Sequence, residues 1–202
     1  MTKIVLLRHG HVEGIDPPRF RGRRDVPLSE KGHAQAQAAA RRVVQAWNPA
    51  MVYTSPLRRC VETAAYMADS VPCPKAEMAD LVDLDFGTLQ WITYTEAKAT
   101  HPGLFAMWLS VPHLVRFPSG EALQDLVART ARALHVVIER HPSDTVVMVG
   151  HDNVNRALLL QLLDQPLSAF WHLLQAPCAV NEIDINGPLV RVHRINDTSH
   201  IS

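Results

Sequence analysis

The sequence predicts an α/β fold: a three-layer αβα sandwich with helices on both faces of a mostly parallel central sheet. Three observations predict it. Short apolar runs alternate along the chain with stretches of helical periodicity. Runs such as Ile4-Val5-Leu6-Leu7 and Val146-Val147-Met148-Val149 are apolar throughout, as strands buried on both faces require. Three of the runs end in polar residues where a loop or helix begins.

The elements follow in order. Lys3 to Leu7 reads as the first strand. Gly14 to Leu28 holds prolines and Arg19, Arg21, Arg23 and Arg24, and reads as a basic loop. Ser29 is a candidate N-cap for a helix to about Trp47, stopped by Pro49. Met51 to Thr54 reads as a short strand. Ser55-Pro56 reads as an N-cap with proline at the first helical position, opening a helix to about Asp69. Val71 to Ala76 reads as an irregular connector that can end in an edge strand. Asp80 to Trp91 is a loop of alternating acids, and Thr93 to Thr100 a weak helix. Pro102, Pro112 and Pro118 make the next stretch read as irregular cover. Glu121 to Arg140 has helical apolar spacing, ended by Pro142. Thr145 to Val149 is a strand followed by Gly150-His151-Asp152 and a helix to Leu163. Val180 to Ile185 and Leu189 to Ile195 read as a β-pair turned at Asn186-Gly187. Residues 1–195 therefore form one expected domain, and 196–202 an expected disordered tail.

Composition bounds the function. The 202 residues, 47% hydrophobic, suffice for one sizeable core. Twenty basic and twenty acidic residues cancel, so no global field draws the chain to nucleic acid or to a membrane surface. Only 4 of the basic residues are Lys, and Arg carries the planar fork that matches phosphate or carboxylate oxygens. Cys60, Cys73 and Cys178 are widely spaced, which argues against a disulfide scaffold or a thiolate metal site. The longest apolar stretch, near Ala157 to Leu163, falls far below the ~18 residues of a membrane span. The expectation is a cytoplasmic protein with neither signal segment nor membrane anchor.

The chemistry gathers at strand ends. The first strand ends in Arg8-His9-Gly10, the second in Ser55 with Arg58 and Arg59 just beyond, and the third in Gly150-His151-Asp152. In a parallel α/β sheet the ligand crevice lies outside the carboxyl ends of the strands. The pattern therefore brings two histidines and two or three arginines around one pocket. Helix N-termini there favour an anion as well.

The stretch "LLRHGHVEG" resembles the Arg-His-Gly signature of the histidine phosphatase superfamily, the phosphoglycerate mutase-like group that includes α-ribazole phosphatase-like enzymes. Further segments are similar in family order: "FRGRRDVPLSEKGHAQA", "TSPLRRCVETA", "LVDLDFG", "FPSGEAL" and "VVMVGHDNVNRALL", covering about Lys3 to Leu159. The resemblance implies that His9 attacks phosphorus and forms a phosphohistidine, with Arg8, Arg59 and His151 gripping the transferring group. It implies no metal and no other cofactor, and a small phosphorylated metabolite as partner. A homodimer is compatible with it.

The chain departs from the family pattern in places. The proton donor, usually Glu, is matched by Asp83, shorter by one methylene. Two other carboxylates are alternative acids: Asp85, at the same alternation as Asp83 and so on the same side of an extended loop, and Asp152, because a His-Asp pair resembles the acid phosphatase branch; a carboxylate at a helix start is the other reading of Asp152. Val12 and Ile15 stand where the family has Thr and Asn, so two phosphate contacts are either lost or taken over by Arg21 of the basic loop. Glu121 fits the family's acidic position near the pocket, and His11 is expected at its rim. A metal site on His9-x-His11 would need further ligands that the sequence does not cluster. A phosphate-binding module without catalysis would not need the nucleophile. A cofactor-dependent mutase usually carries a longer insertion than the span from Asp83 to Glu121. A phosphatase is the reading that remains.

Overall fold

A computed structural model describes residues 1–70 and 72–201. The β-branched runs form the middle of a sheet. Strand β1 (Thr2–Arg8) lies beside β4 (Thr145–Gly150), β4 beside β2 (Met51–Thr54), and β2 beside the edge strand β3 (Lys75–Glu77), all parallel. On the other side of β1, β5 (Val180–Asn186) and β6 (Leu189–Asp197) continue the sheet antiparallel, giving the order β3-β2-β4-β1-β5-β6. Strand β4 is thus inserted between β1 and β2, and the three carboxyl ends at Arg8, Thr54 and Gly150 line up across the centre.

Side-chain alternation sorts the core into two layers. Val5, Leu7, Val52, Val147 and Val149 face helices α1 (Glu30–Ala46) and α2 (Arg58–Ser70) through Ala36, Ala39, Ala40, Val43, Ala64 and Met67. Ile4, Leu6, Tyr53, Val146 and Met148 face α5 (Leu123–Arg140) and α6 (Asp152–Leu162) through Leu126, Ala133, Val137, Ala157 and Leu158. Alanines on α1 let that helix approach the sheet closely, and Ser29 caps it by accepting from the Gly32 amide at 3.1 Å. The expected three-layer fold is the observed one.

Several boundaries differ. Ser55 does not open α2, which begins at Arg58; its Oγ accepts from the Leu57 amide at 3.3 Å and also meets His151. The stretch read as irregular cover holds helix α4 (Pro102–Ser110), where Pro102 at the first turn starts the helix instead of breaking it. Before it, α3 (Tyr94–Thr100) is closed by a Thr93–Glu96 capping box. The β5–β6 turn is centred on Gly187-Pro188, one residue later than expected, with Gly187 at φ +57°.

The expected tail has partners. Strand β6 runs to Asp197, past the expected boundary at 195. Asn196 Oδ1 accepts from the Ala176 amide at 2.7 Å, His200 Nε2 donates to the Cys178 carbonyl at 3.1 Å, and Ile201 packs on the α1–α2 layer. Val71, in the expected connector, and Ser202 lie outside the described residues. No helix among the described residues is long and apolar enough to cross a membrane.

Candidate active site

His9 follows the last residue of β1, where its amide still donates to the Gly150 carbonyl at 3.0 Å. The next residue has no room for a side chain: a Cβ on Gly10 would lie 2.5 Å from the Gly32 carbonyl oxygen. Glycine lets the loop after β1 press against the start of α1, and the Thr63 hydroxyl accepts from the Gly10 amide at 3.1 Å. His9 is thereby held rigidly, 1% exposed, with its ring over the carboxyl end of the sheet.

Hydrogen bonding assigns its tautomer. Nδ1 lies 2.7 Å from the Gly10 carbonyl, which only accepts, so Nδ1 carries the proton and Nε2 keeps its lone pair. Burial first, then the charges of Arg59, Arg8 and Arg21, hold the ring well below its ordinary pKa. His9 is a neutral imidazole at neutral pH.

His151 begins at the end of β4, 0% exposed, its ring centroid 5.3 Å from that of His9. Arg59 Nε donates to its Nδ1 at 3.2 Å, leaving Nε2–H to donate to Ser55 Oγ at 2.8 Å. Burial and then Arg59 lower its pKa well below the ordinary value. The Cys60 sulfur lies against the same ring, and burial pushes that thiol out of reach of ionisation. The two rings thus carry opposite tautomers, His9 with a lone pair on Nε2 and His151 with a donor on Nε2.

Three arginines surround the pair. Arg59 is fully buried; it donates from Nη2 to Gly22 O at 2.7 Å and from Nη1 to Arg24 O at 2.8 Å. Those carbonyls belong to the basic loop, so α2 and that loop fix the guanidinium together. Arg8, 6% exposed, is braced by the Gln175 carbonyl. Arg21 donates to the Gly14 carbonyl; burial and then the neighbouring Arg8 charge bring its pKa down to about 10. Such a concentration of buried positive charge is electrostatically costly until an anion arrives.

Asp83 supplies a buried carboxyl beside them. Its Oδ2 lies 3.4 Å from Arg59 Nη2 and 3.9 Å from His151 Nδ1. Its Oδ1 accepts from Asn153 Nδ2 and from the Leu84 amide, both at 2.9 Å. Asp152 sits on the other flank, with Oδ2 3.9 Å from Arg8 Nη1 and Oδ1 2.9 Å from Arg156 Nη1. The expected set His9, Arg8, Arg59, His151, Asp83, Arg21 and Asp152 therefore shares one neighbourhood.

Two expected residues have other partners. Glu121 is engaged by Arg23 at 2.9 Å, by Arg129 at 3.0 Å and by the Asp85 amide at 3.0 Å. Burial pushes its carboxyl up, but the Arg129 and Asp85 hydrogen bonds and the two arginine charges overcome that and lower it. Arg129 in turn donates to the carbonyls of Asp80, Val82 and Asp83. Glu121 and Arg129 thus hold the loop that presents Asp83. His11 bonds the Ser29 hydroxyl at 2.8 Å and stays partly exposed. Among the described residues, no three His, Cys, Asp or Glu side chains group as a metal site.

Sequence reasoning passed over Asn153, Arg129, Gln175 and Arg156. Asn153 and Arg156 could have been found from the first two turns of the helix after His151, where Asp152 and Arg156 are four residues apart. Gln175 carried no local signal.

The comparisons with known proteins agree with this geometry. Residues 4–198 match the family model described as histidine phosphatase superfamily (branch 1). A phosphoserine phosphatase 1 from Hydrogenobacter thermophilus is 32% identical over 85% of this chain and 81% of its own length. A metal-independent phosphoserine phosphatase from Arabidopsis thaliana is 30% identical over 100% of this chain and 84% of its own. The solved structure of Bacillus stearothermophilus YhfR superposes with a TM-score of 0.94 at 29% identity, covering 100% of both chains. With its two facing histidines, its arginines and its match from end to end, the chain belongs to branch 1 of the histidine phosphatase superfamily.

Proposed function

We propose that the protein hydrolyses the phosphate monoester of a small metabolite through a phosphohistidine on His9, without a metal, in the cytoplasm. The observation that carries this reading is the tautomer of His9: a buried, neutral imidazole whose unprotonated Nε2 stands among Arg8, Arg21 and Arg59. A binding protein would gain nothing from holding that nitrogen unprotonated, whereas a nucleophile requires it.

In the first step the Nε2 lone pair forms the P–N bond as the ester P–O bond breaks. Asp83 gives its proton to the departing alkoxide. In the second step water attacks phosphorus, its proton passes to the Asp83 carboxylate, the P–N bond breaks and phosphate leaves. Arg8, Arg21 and Arg59 are the donors for the equatorial oxygens, joined by the His151 Nε2–H once it exchanges Ser55 Oγ for a phosphoryl oxygen. Such donors, fixed before the substrate arrives, are worth about 10²–10³ in rate apiece. Phosphate monoesters demand them, since accelerations up to ~10²¹ over water are involved. The relatives named as phosphoserine phosphatases support a phosphoric monoester hydrolase acting on a small substrate.

The test is to quench turnover of a radiolabelled phosphate ester in alkali. An alkali-stable, acid-labile label on the protein, absent from His9→Ala, is the expected result. An active enzyme that never carries label, or one that chelator inactivates and added divalent metal restores, would refute the reading.

A further inference from the structure

Trp91 stands in a strained backbone conformation. Its φ is +75°, in the left-handed region that glycine enters freely and a bulky side chain rarely does. Such conformations persist only where the surroundings hold them. The Trp91 amide donates to the Phe20 carbonyl at 2.7 Å, and its carbonyl accepts from Arg19 Nη1 at 2.8 Å. Both partners lie in the basic loop. The turn delivers the indole to the guanidinium groups of Arg19 and Arg24, 5.3 and 5.6 Å from the ring centroid. A glycine would make both backbone bonds without strain, so what the tryptophan adds is its ring.

The loop needs such a hold. It carries Arg19, Arg21, Arg23 and Arg24 up to Arg59, and Arg21 also feels the charge of Arg8. Like charges gathered this closely push a loop away from its neighbours. Its position matters to the clamp, because the Gly22 and Arg24 carbonyls hold Arg59 at 2.7 and 2.8 Å.

The four side chains find different partners. Arg23 pairs with Asp85 at 3.2 Å and Glu121 at 2.9 Å. Arg21 donates to the Gly14 carbonyl. Arg19 and Arg24 take the indole. A carboxylate in place of that ring would attract them too, but it would cancel positive charge that the phosphate needs. The face of an indole attracts a cation through its quadrupole and carries no net charge. It holds the loop and leaves the positive field to the anion.

We propose that Trp91 is a positioning residue: by stacking on Arg19 and Arg24 it keeps the basic loop closed on Arg59, so that this guanidinium is in place before the phosphoryl group arrives. The proposal rests on the phosphatase reading of His9. Trp91 acts through the Gly22 and Arg24 carbonyls and takes no part in breaking the ester bond.

The experiment measures kcat and KM for p-nitrophenyl phosphate, inhibition by vanadate as a mimic of the transferring group, and thermal melting. The variants are Trp91→Phe, Trp91→Leu, Arg24→Met and the double variant Trp91→Leu/Arg24→Met. Phenylalanine keeps an aromatic face, leucine keeps only apolar bulk, and both share the backbone strain, so their difference isolates the ring. Trp91→Phe stays within about threefold of wild type in kcat. Trp91→Leu melts alongside it but loses about tenfold in kcat and in vanadate affinity together, with a smaller change in KM. Arg24→Met also lowers kcat, and the double variant loses no more than Trp91→Leu alone, because the stacking partner is already gone. Arg24 is exposed, so Arg24→Met carries the test should Trp91→Leu fail to fold: kcat equal to wild type in that variant overturns the proposal. Equal kcat in Trp91→Leu and Trp91→Phe, or losses that multiply in the double variant, likewise overturns the role of the ring and leaves the phosphatase reading standing. A wild type that neither hydrolyses the ester nor binds vanadate brings down both.

Discussion

Replacing Asp83 by Asn keeps the shape of the side chain but removes its titratable oxygen, and with it the ion pair to Arg59 at 3.4 Å. The amide keeps an oxygen for the Leu84 amide and Asn153 Nδ2, which hold Oδ1 at 2.9 Å. It cannot protonate an alkoxide. General acid catalysis contributes about 10²–10⁴ in rate where the leaving group is poor, which is about 3–5 kcal/mol of barrier. An alkyl phosphate without charged substituents should therefore lose about 10²–10⁴ in kcat. A dinitrophenyl phosphate, whose leaving group needs no proton, should lose no more than about tenfold. Loss of a buried ion-pair partner costs about 3–5 kcal/mol of stability when the other charge is stranded. Here Arg59 keeps the Gly22 and Arg24 carbonyls at 2.7 and 2.8 Å, so the cost should fall near the lower end. Thermal melting establishes that the variant is folded at the assay temperature, and kcat on the two esters gives the answer. Asp152→Asn is the control on the same esters. Should Asp83→Asn keep most of its alkyl phosphate turnover while Asp152→Asn loses it selectively, the acid is Asp152 and the assignment is wrong.

The pH behaviour follows from the two lowered histidines. Each resists protonation in the folded state but accepts a proton near pH 6.5 when unfolded, so the unfolded chain binds more protons below that point. Stability is then fully present above about pH 6.5 and falls as pH drops, by about 1.4 kcal/mol per unit for each ring until the folded rings titrate. Denaturant melts of wild type and His9→Gln between pH 5 and 7.5 should differ by one proton in slope; equal slopes would contradict a neutral His9. Because the nucleophile is already unprotonated, kcat/KM should also stay flat from pH 7.5 down through 6.5, and a tenfold fall between 7 and 6 would count against it. Arg59→Lys keeps a charge but cannot reach His151 Nδ1, Gly22 O and Arg24 O together, so kcat should drop about 10²–10³, and a drop under about threefold would show the fork is dispensable.

The sheet and the clamp were legible because their signals are local. Runs such as Val146 to Val149 admit little but a buried strand, and the strand-end rule then brings Arg8, His9, Arg59 and His151 to one edge. Helix α4 was not legible. Leu104, Phe105, Met107, Trp108 and Leu109 leave it no polar stripe, and its prolines looked like breaks. The contacts of the tail were not legible because two of their anchors, Ala176 and Cys178, lie on a segment without periodicity. Glu121 was placed near the pocket, but its partner Arg129 and the carbonyls Arg129 holds are up to 49 residues apart in sequence, and no pattern announces such a bond. Asn153 was hidden for the opposite reason, since a polar residue in a first helical turn has an ordinary explanation in capping.

Asn153 also explains how the shorter acid can serve. A carboxyl one methylene nearer the backbone has less freedom to find the leaving oxygen, so its orientation must be set by something else. Asn153 Nδ2 and the Leu84 amide both grip Oδ1, which turns Oδ2 toward Arg59 and His151, where the phosphoryl group is held. Asn153 therefore acts through Asp83, and its removal must show the signature of Asp83. Hydrogen bonds to a charged group are worth about 1.5–3 kcal/mol, so Asn153→Ala should lose roughly 10–100-fold on an alkyl phosphate. The same variant should lose little on a dinitrophenyl phosphate. In the Asp83→Asn background the second substitution should cost nothing further, because the group it orients no longer carries a proton. Losses that multiply in the double variant, or that fall equally on both esters, would mean that Asn153 supports the fold and not the acid.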